Sequence, residues 1–208
     1  MDFDNIKLVD IGNTNAKILY KKQITILSAN DFDDHDEFYY ICVNKKINEK
    51  LKQNKQAINL EKYINIKTSY KGLGIDRKIL CSYIEDGIIV DAGSAITIDV
   101  MDEKNHLGGY ILPGIANCLK IYENISSVLK VDKIDPIMID KLPDNTTDAI
   151  SKAILKSVIL MIKDVSKDKK IYFCGGDGLM ISSYFENAIY KQDLIFDAMK
   201  KIIKENIC

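Results

Sequence analysis

No run of about 18 uncharged apolar residues occurs in this sequence, which leaves no segment with the length and hydropathy of a membrane-spanning helix. The opening MDFDNIKLVDIG also lacks a basic stretch leading into an apolar one, so no export signal is expected. Both absences predict a soluble, cytoplasmic chain without a membrane partner. CxxC pairs are missing, and neither histidine stands at metal-ligand spacing from a cysteine. The five cysteines, Cys42, Cys81, Cys118, Cys174 and Cys208, are therefore read as core thiols of a reducing compartment. With 208 residues the chain can bury a substantial core, as one large domain or two small ones, without covalent staples. Its net charge of −1 supplies no basic field to gather nucleic acid, and the locally positive NKKINEKLKQNK reads as the solvated face of a helix. Tryptophan is absent while lysine, isoleucine and asparagine abound, a bias without functional content. Arginine is nearly absent too. Of the 29 Lys and Arg residues only Arg77 carries a guanidinium, directly after Asp76. That group offers a rigid fork for carboxylate or phosphate which an ammonium cannot copy. A lone arginine is thus either an incidental surface cation or a binding group, and its neighbours must decide.

What is present is a repeated plan. IKLVDIG, AKILYKK and QITILSA are three short β-rich runs separated by turn residues, an antiparallel meander. EFYYICVN reads as a further strand, KKINEKLKQNK as a helix, and IDRKILCSYIED as a helix with apolar Ile75, Ile79, Leu80 and Ile84. A second meander runs through GIIVDAGSAITIDVMD and HLGGYILPG. It is followed by a helix at about Ile115 to Leu129, a long helix at about Thr146 to Lys167, the strand KIYFCGG and helical segments to the end.

An apolar strand ending in Asp-x-Gly-[Asn/Ser] therefore occurs twice, as LVDIGNT and IVDAGSA. In each copy the strand delivers an aspartate to its end, the glycine permits a tight turn, and small polar residues present hydroxyls and backbone N–H groups. Such turns can hold phosphates and a cation. Two ordinary hairpins with Asp-Gly turn chemistry would look the same when taken singly.

The blocks DIGNTNAK (Asp10 to Lys17), GIDR (Gly74 to Arg77), DAGSAITID (Asp91 to Asp99), GGYILPGI (Gly108 to Ile115), NTTDAI (Asn145 to Ile150) and CGGDG (Cys174 to Gly178) occur in this order along nearly the whole chain. Together they resemble the acetate and sugar kinase, chaperone and actin superfamily, and within it the type III pantothenate kinases. The resemblance implies an α/β fold of two similar actin-like (ribonuclease H-like) halves with the active site in the cleft between them. The expected halves are 1–86, with the phosphate loop and GIDR, and 87–208, with DAGSA and dimer-forming helices. It also implies ATP-dependent phosphorylation of pantothenate, the first step towards coenzyme A. A homodimer and a monovalent cation, potassium or ammonium, beside magnesium-ATP complete the expectation.

By the same resemblance, the loop Asp10, Ile11, Gly12, Asn13, Thr14, Asn15, Ala16 and Lys17 binds ATP. Asp10 orients magnesium or its waters, Gly12 to Thr14 cradle phosphates, and Lys17 is a phosphate contact. The Walker Gly-Lys-[Ser/Thr] pattern is missing, which argues against an unrelated P-loop enzyme. Asp76 matches the catalytic base that takes the proton of the attacking hydroxyl, and Arg77 the group that binds the acidic substrate. Gly74, Ile75, Tyr70 and Thr146 complete the substrate side, Thr146 reaching it from the partner subunit. Asp91 matches the monovalent-cation ligand, and Ser94 keeps a hydroxyl toward ATP where the family usually has threonine. Structural alternatives stand beside these roles: a helix N-cap aspartate followed by a surface arginine, a turn aspartate at Asp91, and capping residues at Asn145 and Thr146. Two other functions remain open: a non-catalytic accessory regulator of transcription on the same fold, and a kinase for another small hydroxyl substrate.

Overall fold

The structure is a computed structural model that describes residues 3–207, so Cys208 lies outside the described residues. The chain forms two compact units, one made of residues up to Glu85 together with those from Asp193 onward, the other of Asp86–Gln192.

In the first unit β1 (Leu8–Ile11), β2 (Asn15–Tyr20) and β3 (Gln23–Ser28) form the expected antiparallel meander. Strand β4 (Phe38–Cys42), buried along its whole length, lies parallel to β1, and α1 (Lys45–Leu51) connects it to β5 (Ala57–Asn59), which pairs parallel to β4. The order is β3-β2-β1-β4-β5. Helix α1 starts where the Asn44 side chain accepts the Ile47 N–H at 3.1 Å, and buries Ile47 and Leu51 four residues apart. It ends at Leu51, sooner than its lysine-rich run suggests, because Asn54 forms a side-chain turn by accepting the Gln56 N–H. A short β6 (Lys67–Thr68) precedes α2 (Ile75–Tyr83), which buries Ile75, Ile79 and Leu80 as its periodicity predicts.

The second unit repeats this scheme. Strands β7 (Gly87–Ala92), β8 (Ala95–Asp102) and β9 (Asn105–Pro113) form the second meander. After α3 (Ile115–Ile125) and α4 (Thr146–Ser166), β10 (Ile171–Cys174) pairs parallel to β7; α5 (Gly178–Ser182) then leads to β11 (Ala188–Tyr190), parallel to β10. The order β9-β8-β7-β10-β11 matches that of the first unit strand for strand. Even the hairpin turns correspond: Lys21 and Lys22 have φ of 49° and 65°, and Glu103 and Lys104 have φ of 44° and 67°, the left-handed pair a tight hairpin demands. The core joins Ile88, Val90, Ile96 and Ile98 to Ile154, Leu155, Val158 and Ile162 on one stripe of α4. Each such fully buried branched side chain contributes about 1.5–3 kcal/mol. Asp99 and His106 bridge β8 and β9 inside this unit, Oδ1 to Nε2 at 2.8 Å.

Helix α6 (Leu194–Asn206) then packs on α2 and β1. The last segment thus belongs to the first unit, whereas the sequence pattern assigns it to a second half spanning 87–208. Hydrophobic periodicity predicts the helix but not which sheet its apolar stripe covers. Among the described residues no helix is long and apolar enough to cross a membrane.

Candidate active site

Strand β1 ends at Ile11, and the chain turns back through Gly12, whose N–H donates to the Asn15 carbonyl at 2.9 Å. The Thr14 carbonyl accepts the Ala29 N–H at 2.9 Å, so the loop is held by its backbone while Asn13, Thr14 and Asn15 stay exposed. Ile11 and Ala16 are fully buried, so their side chains belong to the core and only their backbones can serve a ligand. Asp10 lies opposite Lys17 in the β1–β2 pair, with Lys17 Nζ 3.8 Å from its Oδ2. The carboxylate and ammonium expected to organise phosphates are therefore neighbours. Nearby, Cys42 is a buried thiol pushed up to about 11, chiefly by desolvation, and donates to the Asn44 carbonyl. It is an inert core thiol, as expected.

The GIDR block opens α2. Gly74, not Asp76, occupies the cap position, and the Asp76 Oδ1 accepts the Arg77 N–H at 2.8 Å. The carboxylate folds back over Gly74 so closely that a Cβ there would lie 2.5 Å from Oδ1. The glycine leaves the space that Asp76 fills. Arg77 is only 4% exposed, which rules out a surface cation. Its guanidinium lies 4.9 Å from the Tyr70 ring centroid and donates through Nη1 to the Tyr70 hydroxyl at 3.4 Å. Gly74, Asp76, Arg77 and Tyr70 thus come together, whereas the Ile75 side chain is core. Gly74→Ala is expected to push the carboxylate off this position. A fold-preserving loss of about tenfold to a hundredfold in kcat follows, since a misplacement of about 1 Å can cost that much. Unchanged kcat in a steady-state assay would show that the position of the carboxylate does not matter.

The second unit builds a matching turn. Strand β7 ends at Ala92, the Gly93 N–H donates to the Ala95 carbonyl at 2.9 Å, and the Ser94 carbonyl accepts from Gly114 N–H at 3.0 Å and Asn117 Nδ2 at 2.7 Å. This echoes the Gly12 and Thr14 bonds, while Ser94 itself stays exposed. Asp91 sits on β7 between Thr97 of β8 and Cys174 of β10. At Gly175, with φ of 82°, a Cβ would collide with Asp91 Oδ1 and the Ala92 carbonyl. Carboxylate and carbonyl oxygens thus gather where the glycine has no side chain, a hard-oxygen set that fits a monovalent cation or ammonium. Thr146 is exposed at the first position of α4, where Asn145 Oδ1 accepts the Asp148 N–H at 2.9 Å. Asn145 is thus the cap, and Thr146 is left outward.

Beside this turn lies a cavity of about 390 Å³, lined by apolar Ile115, Leu119, Val131 and Met180 and by charged residues that include Lys120, Glu123 and Asp177. Burial holds the Asp177 carboxyl above the usual carboxylate range. Asp177 and Asn117 escaped the sequence reading of the site. The signal for Asp177 was there, an aspartate closing the strand-Gly-Gly block CGGDG; for Asn117, one helical turn into α3, there was none.

A family model for type III pantothenate kinase matches residues 43–168. The chain belongs to the type III pantothenate kinase family. It is 50% identical over 202 residues to a type III pantothenate kinase of Campylobacter jejuni strain RM1221, covering 96% of this chain and 97% of that one. A type III pantothenate kinase of Helicobacter hepaticus is 44% identical, covering 96% and 99%. Among solved structures, a Campylobacter jejuni protein described as a conserved member of the Baf family of transcriptional activators superposes with a TM-score of 0.88. It is 48% identical and covers 97% of this chain and 98% of that one. Component A of the (R)-2-hydroxyglutaryl-CoA dehydratase of Acidaminococcus fermentans superposes at 0.50 with 11% identity, covering 93% of each chain, and shows the shared actin-like ATPase fold alone.

Proposed function

We propose that this member of the pantothenate kinase family moves the γ-phosphoryl group of ATP to the primary hydroxyl of pantothenate, giving 4′-phosphopantothenate on the way to coenzyme A, with Asp76 as general base. The observation that carries the reading is the Asp76 carboxylate, fixed over Gly74 at the N-terminus of α2 beside the buried Arg77. A base must stand where it can take a proton as the hydroxyl attacks, and a helix N-terminus favours the negative charges that gather there. Arg77 supplies a fork for the pantothenate carboxylate, with Tyr70 holding the guanidinium plane.

The backbone N–H groups of Asn13 and Thr14 and the hydroxyls of Thr14 and Ser94 cradle phosphates, the Gly12 N–H being spent on the Asn15 carbonyl that closes the loop, and Asp10 orients the magnesium that accompanies ATP. Asp91 holds potassium or ammonium, which when bound offsets phosphate charge. The cavity beside the second turn, which joins apolar Ile115, Leu119 and Met180 to charged Lys120 and Asp177, takes the nucleoside, with Asp177 accepting a hydrogen bond from its sugar or base. Exposed Leu107, Ile111, Ile121 and Ile125 on the second unit, together with an apolar groove of about 350 Å³ between α3 and α4, support a homodimer. Free thiols at Cys42, Cys81, Cys118 and Cys174 support a cytoplasmic location. The regulator reading would gain support from loss of Asp10 or Asp76, and both are present.

Purified protein assayed for ADP release with pantothenate, with and without potassium and beside a panel of sugars and short hydroxy acids, tests this reading. Pantothenate-dependent ADP is the expected result; turnover confined to another hydroxyl compound overturns the substrate assignment. In the same assay Asp91→Ala should lose most of the activation by potassium and weaken ATP binding, because cation and phosphates neutralise one another at short range. A potassium profile like that of the parent protein would reduce Asp91 to a turn residue.

A further inference from the structure

Between α3 and α4 the chain runs through residues 130–144 without helix or strand apart from the turns of its last few residues. Val131 is buried and Ile134, Ile137 and Ile139 are partly buried against the core of the second unit, so the segment lies on the unit as a strap. Its first residues, Lys130 to Ile134, form one wall of the 390 Å³ cavity. The rest of its lining comes from α3 and from Asp177 and Met180 around α5.

The segment that carries Asp177 and Met180 also carries Tyr184, whose hydroxyl meets the strap at a single residue. It accepts the Ile137 N–H at 3.0 Å and donates to the Ile137 carbonyl at 2.9 Å. One phenol thus satisfies both backbone groups of a residue that has no ladder to join. The strap's exposed pairing of Lys133 with Asp135 is internal, and its exposed ties to the neighbouring helices lie at its ends, Lys130 with Glu123 of α3 at 3.0 Å and Lys152 of α4 donating to the Lys141 carbonyl at 3.1 Å, so Tyr184 holds its middle. We infer that Tyr184 is a positioning residue that fastens the strap over the nucleotide cavity and thereby sets ATP affinity without touching ATP. The inference rests on the reading of that cavity given under Proposed function.

Loss of the hydroxyl leaves the partly buried Ile137 N–H and carbonyl without their partner, and lifting the strap lets water pair with both. A lifted strap withdraws Lys130 to Ile134 from the cavity, and ATP must then bring the wall back when it binds, so its apparent affinity falls by the fraction of closed strap. Two partly buried hydrogen bonds, each worth a factor of a few, set the scale at about five- to thirtyfold. The acceptor side, carried by Asp76 and Arg77 on another unit, should not notice.

The test compares Tyr184→Phe, which keeps the ring in the core, with Tyr190→Phe, a tyrosine of the same unit whose ring packs beside Gly178. Amide hydrogen exchange at 130–144 without ligand, calorimetric titration with magnesium-ATP alone, and steady-state kinetics are measured on each. For Tyr184→Phe the expected results are exchange about tenfold faster confined to the strap, restored by saturating ATP, and about five- to thirtyfold weaker ATP binding, with kcat and the KM for pantothenate unchanged. Tyr190→Phe should match the parent. Unaltered strap exchange overturns the fastening; faster exchange with unaltered ATP binding overturns the link to the cavity. Exchange rising throughout the second unit shows a merely structural tyrosine and overturns the inference as well. Should the parent bind ATP yet fail to phosphorylate pantothenate, the substrate assignment falls while the exchange and binding arms still decide the strap.

Discussion

Asp76→Asn is expected to lower kcat with pantothenate by about two to four orders of magnitude, the range that general acid–base help supplies. Asparagine keeps the size of the side chain and can still accept the Arg77 N–H bond now made by Asp76 Oδ1, so α2 should keep its first turn. What disappears is the charge that takes the hydroxyl proton. Binding of ATP should change little, because the phosphate-holding groups assigned above lie on the loops after β1 and β7. The loss should therefore fall on kcat and kcat/KM alike, the mark of an interaction made only in the transition state. Single-turnover kinetics with calorimetric ATP binding checks both halves of the statement. Retained turnover would move the base to another group; a parallel collapse of ATP binding would show that Asp76 acts through the nucleotide.

Much of this fold could be read from the chain because its strands are apolar and its turns carry distinct chemistry. LVDI and GIIVDA are buried runs that end in Asp-x-Gly, and such a run has few ways to be satisfied other than in a sheet interior. Strands β5 and β11 have three residues each, too few for a period of two to show, and both escaped notice. Helix α3 stops at Ile125 rather than near Leu129, because Ser126 accepts the Val128 N–H and starts a tighter turn. The lone arginine teaches a different lesson. Sequence could show that Arg77 was unusual, but its burial and its place over the Tyr70 ring depend on chain folding seven residues upstream. The same holds for Asp76: spacing pointed to a carboxylate at a helix start, while only the close approach to Gly74 shows why a glycine precedes it. Ile11 and Ala16 belong to the phosphate-loop block as letters, yet their side chains serve the core. A motif marks a backbone path, and the burial along that path decides which members can touch a ligand.

Arg77→Lys should raise the pantothenate requirement by about ten- to a hundredfold, the equivalent of about 1.5–3 kcal/mol for a lost charge-assisted hydrogen bond, with ATP binding preserved. Lysine keeps the charge but not the fork, and an ammonium lacks the planar donor array whose central carbon stands 4.9 Å from the Tyr70 ring centroid. The proposed dimer turns this residue into a test of assembly. Thr146 is exposed at the start of α4, on the unit that bears the unpartnered apolar groove, whereas Arg77 is buried in the other unit. If one subunit's Arg77 and its partner's Thr146 serve the same pantothenate, two-fold symmetry builds two equivalent sites and a separated monomer should be nearly inactive. Mixing Arg77→Ala chains with Thr146→Ala chains then places both defects in one site and leaves the other site whole. Mixed dimers, identified by native mass, should recover about half the parent activity per dimer from parents that are each nearly inactive. Absence of that recovery in confirmed mixed dimers would show that the two residues do not meet at one substrate across subunits.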